Sequence, residues 1–183
     1  MANIPGLMRD ETLPQWIDLD RVGDGGLQLA GTVPVSALAR LGDLLKAASD
    51  PVTVEVRVVR DQTGAAVVIG HVDGQLPLEC QRCLDVVVTA VHGEFELMVV
   101  ASETEAAALG QEQDAAVAHE GRLDLYALVE DELILGLPVV ARHAGEQGCE
   151  HQLRHFGPPG EPEPERENPF AKLAELKKRE TDD

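Results

Sequence analysis

The most regular stretch of the chain reads VTVEVRVVR and runs from Val52 to Arg60. Valine occupies every second position from Val52 to Val58, and polar residues fill the positions between them. Because successive side chains of a strand point to opposite faces, this alternation predicts a strand with one buried and one solvated face. The stretch therefore places the chain among sheet proteins.

The segments upstream of this strand predict one more strand and a helix. Leu27–Val33 alternates in the same way and predicts a strand. Pro34 suits a first helical turn, and apolar residues then recur at helical spacing until Asp50 and Pro51 interrupt them. These apolar residues are Val35, Leu38, Leu41 and Leu45.

Downstream of the strand the sequence predicts an antiparallel meander. A hairpin turn over 61–64 leads into a strand over 65–72, and Asp73 and Gly74 predict a second turn or a bulge. Two more β-rich runs, 84–91 and 95–100, are expected to be joined or kinked at 92–93. Connections this short do not allow parallel crossovers, so the strands should pair antiparallel.

The segment 83–121 contains no lysine or arginine but many acidic residues. Its centre, 102–118, is rich in Ala, Gln and Glu, and we expect an acidic mobile loop with at most a short helix. One interpretation is a patch that recruits a basic partner. The other is a solvated loop that keeps the protein in solution.

Leu123–Pro138 is the strongest helix candidate, because its leucines form a broad apolar arc that Pro138 ends. Glu130 is expected on the wet side, together with Asp124 and Asp131. Glu132 falls near the edge of the buried arc, so it should need an arginine or free backbone amides as a partner. A role for Glu132 as a general base is the alternative, but no nucleophile or second acid accompanies it.

Composition limits the classes of function. The 183 residues include 15 Lys and Arg against 33 Asp and Glu, a formal charge of −18, which disfavours broad binding to nucleic acid. No apolar run approaches the roughly 20 residues that cross a bilayer, so we expect a cytoplasmic protein without a membrane partner. An odd number of cysteines, 3, fits a reducing compartment better than a disulfide framework.

These features predict one α+β domain. We expect a mainly antiparallel sheet, with closure into a barrel as an alternative, packed by two helices. Residues 1–26 should form an N-terminal arm and 27–156 the domain. Residues 157–183 should form a Pro/Glu-rich flexible linker and a short C-terminal helix that begins near Asn168.

Four residues are candidate metal ligands. Cys80 and Cys83 form a Cys-x-x-Cys pair in what resembles a turn between strands, and His143 and Cys149 form a looser pair after the predicted helix. Thiolates and imidazole at such spacing are typical of a structural zinc site. His151 is the alternative fourth ligand, with His155 as a further rival at the same position.

Two other interpretations of the cysteines stay open. A Cys-x-x-Cys pair can serve redox chemistry, although such pairs open a helix after a parallel strand, and no βαβ pattern surrounds Cys80. The cysteines can also be plain structural thiols. The remaining histidines, His71, His92 and His119, are expected to be ordinary sheet or surface residues.

Three motifs resemble the bacterial YceD family, whose members are called large ribosomal RNA subunit accumulation proteins. They are LPLECQRCL from Leu76, DLYALVEDELILGLP from Asp124 and NPFAKLAELK from Asn168. The resemblance implies a non-enzymatic factor that supports synthesis, processing or stability of 23S ribosomal RNA. It implies no catalytic residues and no small-molecule substrate.

An acidic protein that aids ribosomal RNA need not hold the RNA itself. We expect it to bind a basic ribosomal protein or assembly factor, with contact to RNA indirect. The alternative is an RNA-binding module that uses Arg57, Arg60 and Arg82, although 3 Phe, 1 Tyr and 1 Trp leave few aromatic rings for stacking on bases.

Overall fold

Seven strands and three α-helices lie within residues 11–23, 25–110, 113–144 and 149, the parts of the chain that the computed structural model describes. The strands are β1 Trp16–Asp18, β2 Leu27–Val33, β3 Val52–Arg60, β4 Ala66–Glu79, β5 Val86–Val100, β6 Ala115–Val117 and β7 Arg122–Asp124. The helices are α1 Ala39–Gly42, α2 Glu103–Ala108 and α3 Leu125–Leu135, and single 3-10 turns cover Leu19–Arg21 and Val35–Ala37. All of these elements lie in the compact unit Met1–Gly148.

The strands form a five-stranded sheet in the order β2-β3-β4-β5-β6 and a two-stranded ribbon of β1 and β7. Every pairing in the larger sheet is antiparallel except the last, in which β6 runs parallel to β5. The strand order is open, so the sheet is not closed into a barrel. The predicted α+β fold with a mainly antiparallel sheet is confirmed.

One face of the sheet forms the core, and β3 shows why. Val52, Val54, Val56 and Val58 are at most 2% exposed, whereas the residues between them point to solvent. This alternation confirms the strand predicted for Val52–Arg60. On the neighbouring strands Val68, Val72, Leu76, Val91 and Phe95 extend the same buried face. We call it the inner face of the sheet, and the opposite side the outer face.

β4 and β5 are longer than predicted, and the predicted break at Asp73 and Gly74 is wrong. β4 continues through both residues to Glu79. A Cβ atom built on Gly74 would lie 2.8 Å from Cγ1 of Val52, so the glycine lets two strands approach closely. Pro77 is tolerated further along β4 because β3 pairs with β4 only as far as Asp73.

The two β-rich runs expected to be joined or kinked at 92–93 are joined in one strand. β5 runs unbroken through His92 and Gly93. A Cβ atom on Gly93 would lie 3.1 Å from Cβ of Glu132 on α3. The glycine therefore makes room for the helix that covers the inner face, and it does not end a strand.

The helix predicted between Pro34 and Asp50 is divided into two short pieces. Leu38, with φ −103° and ψ 85°, separates the 3-10 turn from α1. The apolar spacing still identifies the core, because Val35, Leu38 and Leu41 are buried. The single continuous helix was wrong, but three of its four apolar residues are buried and Leu45 is half-buried.

The segment 102–118 contains the expected short helix, α2, whose N-cap Ser102 accepts a hydrogen bond from the backbone N–H of Glu105. It also contains β6, which was not predicted. Ala-Ala-Val is too short and too weakly apolar to stand out as a strand, and β6 is held at the sheet edge by pairing with Met98–Val100. Two other short strands, β1 and β7, were also not predicted, and of these three β6 is the one that pairs parallel.

Helix α3 confirms the predicted helix with narrower bounds. Asp124 caps its N-terminus by accepting a hydrogen bond from the N–H of Ala127 at 3.1 Å. The buried positions are Leu125, Val129 and Leu133, whereas Leu135, placed in the predicted apolar arc, is 78% exposed. None of the described helices has the length and apolar character needed to span a bilayer.

The buried carboxylate of α3 is Glu130, not Glu132, which corrects the expectation that Glu130 faces water. Glu130 is 8% exposed, accepts a hydrogen bond from Nε of Arg40 at 2.8 Å and another from the backbone N–H of Leu41 at 3.0 Å. An arginine and a backbone amide were the partners expected for Glu132. The packing of α1 against α3 determines which side of α3 is buried, and the spacing of apolar residues alone does not.

Candidate metal centre

The first half of the site is the turn that joins β4 to β5. The backbone N–H of Cys80 donates to the carbonyl of Asp85 at 2.8 Å, and the N–H of Leu84 donates to the carbonyl of Cys80 at 2.8 Å. Leu84 has φ 65°, a left-handed conformation that lets the chain reverse directly after Cys83. The turn thus holds both thiols at one end of the sheet, as expected for a knuckle between strands.

The second half is the segment that follows α3. The carbonyl of Ala141 accepts a hydrogen bond from the N–H of Gln81 at 2.9 Å, and Nε2 of His143 lies 3.0 Å from the carbonyl oxygen of Val86. These contacts fasten residues 141–143 to the turn and to the start of β5. They explain how residues about 60 positions apart in the chain come to one place.

The four predicted ligands lie together. One ligand atom from each of Cys80, Cys83, His143 and Cys149 can be chosen so that all four are within 4.8 Å of one another. Sγ of Cys83 lies 3.5 Å from Nδ1 of His143. Among the residues that the structure describes, no other group of cysteines, histidines and carboxylates is arranged so that it could hold a metal ion.

The three cysteines of the cluster are protected from water and carry no disulfide. Cys80 is 0%, Cys83 4% and Cys149 2% exposed, and none forms a disulfide. Buried thiols that converge on one point without a disulfide are typical of a metal site.

The hydrogen bonds of His143 select the ring nitrogen that faces the thiols. A carbonyl oxygen only accepts, so Nε2 of His143 must carry the proton that it shares with Val86. In the neutral ring Nδ1 then presents its lone pair toward Cys83. Metal-binding histidines commonly donate the other ring N–H to a backbone carbonyl in this way, so the residue fits the role of a ligand.

The surroundings of Cys80 favour a thiolate. Burial by itself raises the pKa of this thiol, but the backbone N–H groups of Cys83, His143 and Arg82 and the side chain of Cys83 outweigh burial and lower the pKa to about 5. Donors directed at the sulfur stabilise its negative charge. A thiolate is the form that coordinates a metal.

The rival ligands and the other histidines are placed as follows. His151 and His155 lie outside the described residues, as do the predicted linker and C-terminal helix. His71 and His92 lie on the outer face of the sheet beside Asp73, and His119 forms a β-bridge with Arg122. These three are sheet residues away from the cluster, as expected.

The structure bears on the redox alternative through the position of the cysteine pair. Cys80 and Cys83 occupy a turn between two antiparallel strands, whereas redox pairs of the thioredoxin type open a helix. Arg82 and Arg142, exposed beside the ligands, supply positive charge next to three thiols.

The sequence predicted all four residues of the cluster. It did not predict the backbone carbonyl of Val86 as the hydrogen-bond partner of His143, because no sequence pattern marks a backbone carbonyl.

Comparison with known proteins agrees with the motifs. The family model described as "Large ribosomal RNA subunit accumulation protein YceD" matches residues 68–177, which include the turn, the cluster and α3. A protein of Haemophilus influenzae with the same description is 32% identical over 175 residues, which cover 94% of this chain and 100% of the relative. No solved structure matches the chain. The chain belongs to the YceD family.

Proposed function

We propose that this protein is a non-enzymatic cytoplasmic factor that supports the accumulation of large-subunit, 23S, ribosomal RNA by binding a basic ribosomal protein or assembly factor. Membership of the YceD family, whose members are named for this accumulation, is the observation that carries the proposal. The charge of −18 supports a basic protein as the partner, because it repels a phosphate backbone and attracts a cationic surface.

The proposal includes a structural zinc ion held by Cys80, Cys83, His143 and Cys149. Three thiolates and one imidazole form a closed tetrahedral set, which leaves no open position for a substrate. The ion would add a link between the β4–β5 turn and the segment after α3. In this role the metal stabilises the fold and takes no part in a reaction.

The distribution of arginines gives the direct RNA-binding alternative little support. Arg57 projects from the outer face, whereas Arg60, three positions along the same strand, donates to the carbonyls of Gly64 and Leu19. Arg82 lies in the turn beyond the far end of β4, and that end is roughly 33 Å along the strand from Ile69, the residue paired with Arg57. The three arginines do not form one basic patch.

Affinity capture tests the function. The tagged protein, retained from cell extract at low and at moderate salt, should bring down a basic protein of the large subunit, and added salt should weaken this capture. Ribosomal RNA should disappear from the sample when that protein is stripped away. Recovery of bare RNA without ribosomal proteins would contradict the proposal and favour the RNA-binding module.

A filter-binding assay with purified RNA tests the alternative, direct binding to RNA. Several direct phosphate contacts produce a steep fall of affinity with salt concentration, with a slope of about −0.7 to −0.9 for each phosphate contacted. We expect weak binding without such a slope. A steep slope that Arg57→Ala reduces would support direct binding.

Metal analysis of protein purified without a histidine tag tests the zinc site. We expect about one zinc per chain, lost in Cys83→Ser and retained in His92→Ala, which removes an exposed histidine outside the cluster. Zinc retained by Cys83→Ser, or absent from the native protein grown with ample zinc, would refute the site.

A further inference from the structure

The outer face of the sheet carries a groove with a volume of about 470 Å³. Ile69 and His71 on β4 form its floor, residues 55 and 57 on β3 line one side, and Glu94 and Glu96 on β5 line the other. The strand register places Ile69 between Arg57 and Glu96, and the next outward residue of β4 between Glu55 and Glu94. The groove therefore combines a floor that is apolar at Ile69 with carboxylates on both sides.

The charges along the groove are unequal. Three glutamates face one arginine, and Arg57 stands at one corner. The Glu94 side chain is 85% exposed, with Nδ1 of His71 3.5 Å away. The side chain of Glu96 makes no hydrogen bond or ion pair with any other residue that the structure describes. The β5 side of the groove thus offers two carboxylates to a cationic partner.

The floor of the groove suits the stem of a lysine or arginine. Ile69 is 37% exposed, which makes it one of the large apolar side chains that the sheet leaves open to solvent. Lysine and arginine lay their aliphatic stems along apolar surface while the charged ends reach polar groups. A side chain that crosses Ile69 from β4 toward β5 reaches Glu96, its cross-strand neighbour.

The spacing of the two carboxylates limits the shape of the ligand. Glu94 and Glu96 are two residues apart on one strand, so their Cα atoms are about 6.7 Å apart. Alternate side chains of an extended peptide repeat at the same distance. Basic residues at alternate positions of an extended segment that runs along β5 therefore meet both carboxylates, whereas residues adjacent in sequence point to opposite sides.

We propose that this groove docks an extended segment of a basic protein, with Lys or Arg at alternate positions facing Glu94 and Glu96, and with the stem of the residue that faces Glu96 lying over Ile69. The inference rests on the proposed function in taking a basic protein as the partner. It adds the surface, the conformation and the sequence pattern that this partner presents.

Fluorescence polarisation with two labelled peptides tests the docking groove. One peptide alternates Lys and Ser, and the other contains the same residues with the lysines in one block. The full-length protein should bind the alternating peptide more tightly. In the double variant Glu94→Gln/Glu96→Gln that binding should weaken about fivefold, as expected for the loss of two exposed ion pairs.

A matched control separates the groove from the charge of the whole protein. Asp43→Asn/Asp50→Asn removes the same charge from two exposed positions in the region between β2 and β3. It should change the affinity by less than about twofold, because charges away from the contact are largely screened. Equal binding of the two peptides by the native protein, or equal weakening by both double variants, would overturn the inference.

The failure of this inference differs from a failure of the proposed function. If the native protein captures a basic ribosomal protein and Glu94→Gln/Glu96→Gln captures it equally well, the groove is not the docking site but the proposed function is retained. If the native protein captures no basic partner, the function and the inference both fall.

Discussion

Glu130 shows how one side chain fastens two helices. Its carboxylate accepts from Nε of Arg40 and from the N–H of Leu41, a residue that is 0% exposed. In Glu130→Ala this amide loses its acceptor in a place that water does not reach. We expect the free energy of unfolding to fall by about 2–3 kcal/mol, measured by urea denaturation.

The neighbouring Asp131 provides the control for Glu130. Its carboxylate also contacts Arg40, with Nη1 at 2.7 Å, but its side chain is 52% exposed. Asp131→Ala should change the free energy of unfolding by no more than about 0.5 kcal/mol. Similar losses in the two variants would show that the buried position of Glu130 contributes nothing beyond a surface ion pair.

Glu132, unlike Glu130, lowers the stability of the folded protein at neutral pH. Burial raises the pKa of its carboxyl above the ordinary 4.5, and the negative charges of Asp131 and Asp114 raise it further. The folded state then binds the proton more tightly than the unfolded state, so this contribution to stability is full below pH 4.5 and is lost as the pH rises through the folded pKa.

Replacing Glu132 should remove this pH dependence. Glu132→Gln keeps the shape without the charge, so the variant should be more stable than the native protein at neutral pH. The difference should shrink toward pH 4, where the native carboxyl is protonated. Urea denaturation at a series of pH values measures it, and a difference that stays constant across the series would contradict the assignment.

At the scale of elements, the contact of α3 with β5 depends on glycines. A Cβ atom on Gly136 would lie 2.8 Å from Cγ1 of Val91 and 3.0 Å from the carbonyl oxygen of His92. Gly136→Ala should therefore destabilise the protein by about 1–3 kcal/mol through overpacking, although alanine favours helices. Gly42→Ala, where the new methyl group meets nothing within 4 Å, should be neutral or stabilising. Thermal denaturation of both variants measures the difference. An equal response of both variants would contradict this packing.

The same glycines show where sequence patterns predict strands well and where they do not. Alternating valines identified β3 to the residue, because half-burial imposes a period of two. Gly74 suggested a turn or a bulge and Gly93 a join or a kink, since glycine is common at such places, but each serves a close approach between elements. Tertiary contact decides between these roles, and a single sequence does not contain it.

The candidate metal centre was predictable for a different reason. Thiols and imidazoles are few in this chain, so the spacing of Cys80, Cys83, His143 and Cys149 was sufficient to group them. The position of Glu130 was not predictable, because it depends on which face of α3 meets α1. Chemistry that uses rare residue types can be recognised from sequence, whereas the phase of a helix with leucines on several sides cannot.

At the scale of the whole molecule, the charge of −18 should make stability depend on salt. The described ion pairs join exposed or half-exposed partners in most cases, so each adds little, while repulsion among the excess carboxylates opposes the folded state. Raising NaCl from about 10 to about 200 mM shortens the screening length from roughly 30 Å to below 10 Å. We expect the Tm at neutral pH to rise by several degrees in calorimetry.

A charge variant shows whether repulsion is the cause of that rise. Asp43→Lys/Asp50→Lys changes two exposed positions and lowers the net negative charge by four units, from −18 to −14. Its Tm at low salt should exceed that of the native protein, and its gain on adding salt should be smaller. Zinc is kept at one concentration throughout, because a ligand that binds only the folded state also raises the Tm. A native Tm that falls with salt would mean that pairs such as Arg40 with Glu130 outweigh the repulsion.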